Sequence, residues 1–182
     1  MKLSKYYIPA LSLLTLLSGC SSNNIKTFRA DPLVKHDLPI SSFGKIHITN
    51  VSMPEGDTNS IMCRAVGNIY LPEKMTYSVY IKEAFKKTLL VLDKYAEATE
   101  EGHKLNIQLD KVTFDTLAGE WIIDAKVSVD GKPSIVVNSV SQYGTAYIAE
   151  TACRNTAEAF DIAAGAFVKK VLTTPEVLKD LR

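Results

Sequence analysis

Between Glu120 and Asp130 the chain alternates without a break, with Trp121, Ile123, Ala125, Val127 and Val129 on one side and Ile122, Asp124, Lys126, Ser128 and Asp130 on the other. A period of two sustained this long specifies an extended strand, because successive side chains of a strand point to opposite faces of its sheet. The apolar side predicts burial, and the mostly polar side predicts contact with water. Asp130-Gly131 follows at once, a pair suited to a two-residue hairpin turn, and Lys132 to Tyr143 returns as the partner strand through Ile135-Val-Val-Asn-Ser-Val140. Upstream, Leu105, Ile107 and Leu109 share a face. The phase then slips at Asp110-Lys111 before Val112 and Phe114, which predicts a bulge rather than the end of the strand. These three strands form an antiparallel meander whose apolar face has to be covered.

Two helical stretches supply the cover. Tyr77, Ile81, Ala84, Phe85, Thr88, Leu92, Tyr95 and Ala96 recur at spacings of three and four, with Lys82, Lys86, Lys87, Asp93, Lys94 and Glu97 opposite, which predicts a helix from Thr76 to Thr99 ending near Gly102. The lysines at 82, 86 and 87 read as a solvated helix face in preference to a contact with anionic headgroups. A second stripe, from Ala149 through Cys153, Thr156, Phe160, Ala164 and Phe167 to Leu172, predicts a final helix stopped by Pro175, with a terminal turn beyond it. Ile46 and Ile48 against His47 and Thr49 mark a first strand over Lys45–Val51. The order predicts an α+β domain over residues 44–182, β-α-β-β-β-α, with two helices packed on one face of a four-stranded, mostly antiparallel sheet. Residues 52–74, with Pro54, Gly56, Gly67 and Pro72, read as a long loop holding a short strand at Asn68–Leu71. A loop of that length needs something to fix it.

The amino terminus has a different character. Lys2 and Lys5 precede an apolar run from Ile8 to Leu17, and Ser18-Gly19-Cys20 follows, so residues 1–19 read as an export signal. The run is about ten residues, half of the roughly 20 that cross a bilayer. Leu17-Ser-Gly-Cys20 resembles the lipobox of bacterial lipoproteins, which implies a diacylglycerol thioether on Cys20 and a membrane anchor facing the periplasm. An ordinary secretory signal with a chance cysteine is the alternative, and it leaves the protein soluble. By the enterobacterial sorting rule, Ser21 in place of an aspartate points to the outer membrane. Residues 20–43, polar and broken by Pro32 and Pro39, read as a lipidated tether on which the domain stands off the membrane.

With Cys20 assigned to lipid, Cys63 and Cys153 remain as an even pair, and the oxidising periplasm favours a disulfide between them. Neither cysteine has a CxxC neighbour or a histidine at ligand spacing, so a metal pair or a catalytic thiol has no support. Lys and Arg number 21 and Asp and Glu 20, which gives no global field for nucleic acid. No GxSxG, HExxH or P-loop occurs. Ser42-Phe-Gly-Lys45 matches SxxK, but at the tether's end and without companion motifs. His36, His47 and His103 are scattered, and Asp110, Asp115, Glu120 and Asp124 read as a wet sheet face around one hairpin. No cofactor or metal is expected.

The lipobox, the long helix after the first strand, Gly119-Glu-Trp121 opening the third strand and Ala152-Cys-Arg154 beginning the last helix resemble the small Gram-negative lipoproteins around YajG, LptE and the ABC-transport auxiliary lipoproteins. The resemblance covers residues 44–175 and implies a non-catalytic accessory in envelope assembly or transport. It carries over no partner-contact residue. The outward sheet face, with Ile122, Lys126, Val136, Asn138 and Val140, and the sheet edges are where an envelope protein partner is expected. Two other classes fit the same residues. One is a module binding lipid, lipopolysaccharide or peptidoglycan in a cavity between helices and sheet, and the other is a periplasmic inhibitor or immunity lipoprotein. Mass spectrometry of the mature protein is expected to find acylated Cys20 and one Cys63–Cys153 bridge, and Cys20→Ser is expected to release the protein from the membrane fraction. Two free thiols in periplasm-expressed protein would rule out the bridge.

Overall fold

A computed structural model describes residues 23–38 and 43–182. Cys20, Ser42 and the export signal fall outside them. The strands are β1 (Ile46–Ser52), β2 (Ser60–Cys63), β3 (Gly67–Tyr70), β4 (His103–Asp115), β5 (Glu120–Val129) and β6 (Ile135–Gln142). The helices are α1 (Val34–Asp37), α2 (Tyr77–Val91), α3 (Ala149–Thr173) and α4 (Pro175–Asp180). One sheet has the order β1-β4-β5-β6, with β1 parallel to β4 and the other pairs antiparallel, while β2 and β3 form a separate hairpin. The expected α+β layering is present, with helices on one face of the four-stranded sheet.

The meander follows the sequence pattern closely. Trp121, Ile123, Ala125, Val127 and Val129 are all buried. The register of β4 against β5 shifts between Leu109 and Lys111, where the alternation slips. Asp130 and Gly131 both take positive φ, 52° and 75°, as the tight turn requires. Asp130 also ties that end, because its carboxylate accepts from the Lys104 amide at 2.7 Å and meets His103 Nδ1 at 2.8 Å.

Aromatic rings fill the space between sheet and helices. Phe160 of α3 lies with its centroid 4.5 Å from Trp121, 5.0 Å from Tyr80 and 5.4 Å from Tyr77, so one side chain joins β5, α2 and α3. The Trp121 indole N–H, which would be costly to bury unpaired, donates to the Thr156 carbonyl at 2.8 Å. Thr156 Oγ1 donates to Ala152 O and pairs with the Tyr143 hydroxyl, both at 2.8 Å. Phe85 and Phe167 meet edge to face further along the α2–α3 contact. A cavity between helices and sheet, which a ligand module there requires, is occupied by these side chains.

Three sequence expectations change. The first helix ends at Val91 and not at Thr99, because Asp93 takes φ 58° and the chain closes a Schellman motif, with Lys94 N bonded to Leu89 O at 2.8 Å and Asp93 N to Leu90 O at 3.1 Å. Tyr95 and Ala96 keep the helical spacing yet lie beside β1, where Ile46 N donates to Lys94 O and Ala96 N to Ile46 O. The loop over residues 52–74 contains the whole β2–β3 hairpin, and its first part caps α2. Asp57 accepts from Ser78 N at 3.1 Å and Ser78 Oγ at 2.6 Å, satisfying a free amide of the helix N-terminus.

The third change concerns the tether. Asn23–Ile25 runs alongside β3, with Tyr70 N donating to Asn23 O at 3.0 Å and Ile25 N to Tyr70 O at 2.8 Å. Ile25, Phe28, Leu38 and Phe43 are buried. Polar composition hid the reason, since these four apolar residues lack a period but each reaches the domain. Tyr80 and Lys87 of α2 hold the segment further by donating to the carbonyls of Lys26 and Phe28.

The expected bridge is formed: Cys63 at the end of β2 is disulfide-bonded to Cys153 of α3 across 90 residues. In the chain-entropy description a loop of that size contributes about 4–5 kcal/mol. The next two residues, Arg64 and Ala65, have φ of 43° and 57°, a conformation that costs a residue with a side chain about 1–2 kcal/mol. The bridge before them and four hydrogen bonds from Arg64 after it hold that turn. Because Phe160 touches three elements, Phe160→Ala is expected to cost about 3–5 kcal/mol, read as a lower midpoint in urea denaturation with the slope retained.

Candidate functional site

The face of the sheet turned away from the helices is built by the same alternation that builds the core. On β5 it presents Ile122, Asp124, Lys126 and Ser128, and on β6 Val136, Asn138 and Val140. The β5–β6 register pairs Ile122 with Val140, Asp124 with Asn138 and Lys126 with Val136. The five residues expected at a partner surface, Ile122, Lys126, Val136, Asn138 and Val140, are therefore contiguous. Val136 is 62% and Val140 56% exposed, while Ile122 is half-buried.

Polar side chains between these apolar ones are paired with one another. Asn138 Nδ2 donates to Asp124 Oδ1 at 2.9 Å, and Gln142 Nε2 to Glu120 Oε2 at 2.9 Å. Lys126 Nζ lies 3.2 Å from the Asp110 carboxylate, which Gln108 Nε2 also meets at 3.0 Å. Asp110 stands in the β4 bulge, so the irregularity legible in the sequence positions the acidic end of this ladder. The outcome is a row of paired donors and acceptors beside two exposed valines on an outer strand. Strand β6 ends the sheet, and an edge strand offers unpaired backbone groups to an added strand.

The carboxylates around the hairpin have settled partners. The Asp110 carboxyl is held below the usual carboxylate range, first by the Gln108 hydrogen bond and then by Lys126. Asp115 is lowered by the backbone amides of Ala118 and Leu117, which its Oδ1 accepts at 3.0 and 2.7 Å. Both groups are therefore charged at neutral pH, whereas a general acid there needs a raised value. Among the described residues, no three of His, Cys, Asp and Glu come together as a metal set.

Other residues singled out in the sequence are dispersed. His47 Nδ1 lies 3.3 Å from Ala96 O, His103 pairs with Asp130, and His36 is on α1. Lys45, of the SxxK match, lies 3.6 Å from Glu100. Of the lysine cluster on α2, Lys86 sits over the Tyr95 ring and Lys87 bonds the Phe28 carbonyl, so two of its three members pack against the protein. One feature had no sequence signal. A groove of about 310 Å³ lies outside the helix layer, lined by Phe28, Arg29, Asp31, Asp161, Ile162 and Gly165 among others. It exists only because residues 23–38 pack back against the helices, and nothing in the pattern of the polar amino-terminal segment marks that.

A crystal structure of a Xanthomonas campestris protein of the DUF330 family is similar to this chain, with TM-score 0.52 and 12% identity, over 84% of this chain and 95% of that one. The similarity concerns the fold. No family model and no curated protein matches the sequence.

A carboxyl whose folded pKa is depressed contributes stability that is present above its unfolded pKa and is lost as pH falls through the folded value. Carbon-detected NMR titration is expected to place the Asp110 midpoint below that of an unfolded-chain aspartate. Gln108→Ala and Lys126→Met are each expected to raise it.

Proposed function

We propose that this protein is an exported lipoprotein, anchored through Cys20 and facing the periplasm. In this reading it is a non-catalytic accessory in envelope assembly or transport, as the group around YajG, LptE and the ABC-transport auxiliary lipoproteins is. It binds a protein partner through the open β5–β6 face and the edge of β6. The single observation that carries the reading is that face: Ile122, Lys126, Val136, Asn138 and Val140 form one contiguous surface with its polar groups already ordered. Such a surface suits recognition, because preordered side chains lose little freedom on binding. The leader ending in Leu17-Ser-Gly-Cys20 supports the anchor. A fold shared with a protein from a Gram-negative bacterium is compatible with an envelope role.

A second reading, binding of a small lipid or glycan, is favoured by the groove beside Phe28 and Ile162, which has room for one acyl chain or sugar and both charged and apolar walls. It relocates the ligand site from the filled interlayer to the outside of the helices.

A photo-crosslinking residue at Val136 or Val140 in intact cells is expected to yield one reproducible adduct that the same residue at Leu90, exposed on α2, does not give. Val140→Asp is expected to weaken capture of that partner about tenfold, equivalent to 1.4 kcal/mol, with the circular dichroism spectrum unchanged. Identical adducts from all three positions, or none, would reject the face as the binding site.

A further inference from the structure

Among the described residues, five of the ten large exposed apolar side chains away from the open face gather at one end of the domain, around Arg64. The Arg64 guanidinium donates from Nε to Thr116 Oγ1 at 2.7 Å and from Nη2 to Thr116 O at 2.8 Å. From Nη1 it reaches the carbonyls of Ala146 and Tyr147, each at 3.3 Å. One cation thus gathers three tips: the β2–β3 turn, the β4–β5 turn and the loop from β6 into α3. Within two residues of those contacts stand Met62, Val66, Leu117, Tyr147 and Ile148, all exposed, Leu117 by 80% and Tyr147 completely. The tips are held in place by the Cys63–Cys153 bridge and the Thr145 hydroxyl bonded to the Thr116 carbonyl.

The chain enters the domain beside this end. Asn23–Ile25 runs parallel to β3, and β3 starts at the Arg64 turn, so the backbone followed backwards from Ile25 to Asn23 heads toward the tips. Cys20 is three residues further back, and three residues span at most about 11 Å in any conformation. A lipid anchor on Cys20 therefore attaches within about 11 Å of Asn23, on the side toward which the paired strand runs when followed backwards.

Resting on the reading of Cys20 as lipidated, we propose that Met62, Val66, Leu117, Tyr147 and Ile148 sit in the interfacial layer of the bilayer that holds the anchor, so that the domain stands on the membrane by this end. The side-chain chemistry matches that layer, where aliphatic groups enter the acyl boundary and a tyrosine ring lies at headgroup level. Charge plays little part. Arg64 is occupied by protein acceptors, Asp115 accepts two amides, and the nearby exposed Glu150 and Arg154 have opposite signs. Zwitterionic lipid is a sufficient partner. The contact sets orientation: β5 runs from the tips to the Asp130–Gly131 turn, about 33 Å for its ten residues, so the open β5–β6 face rises away from the lipid surface.

The test uses the full chain purified from membranes and reconstituted in phosphatidylcholine vesicles, with Tyr147→Trp at the tips and Ser134→Trp beside the distal hairpin. Each spectrum is taken as a difference from the wild type, whose one tryptophan, Trp121, is buried. With brominated phosphatidylcholine, the Tyr147→Trp emission is expected to shift to the blue and lose most of its intensity, while that of Ser134→Trp is unchanged. Equal quenching of the two, or quenching of neither, overturns the proposal. Mass spectrometry of the same sample reads the anchor separately. Selective quenching with an unmodified Cys20 would retain the membrane contact and reject the anchor, and an acylated Cys20 without quenching would do the reverse.

Discussion

The hydrogen bond from the Trp121 indole to the Thr156 carbonyl fixes where the last helix lies along the sheet, and the rest of the domain follows from that placement. In the dry space between the layers the indole N–H has to be satisfied, and a helix carbonyl in the second turn of α3 satisfies it. Phe160, one turn further on, then falls on the Trp121 ring and between the tyrosines of α2. Cys153, nearly one turn before, comes opposite Cys63. Sliding α3 by one turn would separate the cysteines, release the β2–β3 hairpin and undo the Arg64 contacts together.

How legible all this was in the sequence depended on the range of the forces involved. The meander, its bulge and its turn are local: period two, one phase slip and an Asp-Gly pair determine them, and the face carrying Val136, Asn138 and Val140 comes with the period. The end of α2 was not legible. The left-handed residue that stops it is Asp93 and not a glycine, and Tyr95 and Ala96 are buried by β1 at positions that happen to continue the helical stripe. The hairpin over Ser60–Tyr70 lacks glycine in its turn, where Arg64 and Ala65 take the strained conformation. It persists because a disulfide and a guanidinium from long range hold it. The tips around Arg64 come from three separate loops, so no window of sequence contains them.

Several charges of this protein are spent on its own construction. Asp57 caps a helix, Asp130 ties a hairpin to β4, Lys94 holds the Phe43 carbonyl and Asp115 shapes the β4–β5 turn. With those groups engaged, what faces outward in concentrated form is apolar or pre-paired. Such surfaces are suited to docking against another body.

The pairing of Asn23–Ile25 with β3 has a mechanical consequence. A pull on the amino terminus enters the domain through the backbone bonds at Tyr70, loads the strand lengthwise and not one bond at a time, and passes across the hairpin to Cys63. From there a covalent bond carries it into α3, the longest helix among the described residues. The load path therefore runs from the chain's entry to the centre of the core with a sulfur–sulfur link at its middle, and reduction of that link would leave the hairpin to peel away while the sheet and its helices stay behind.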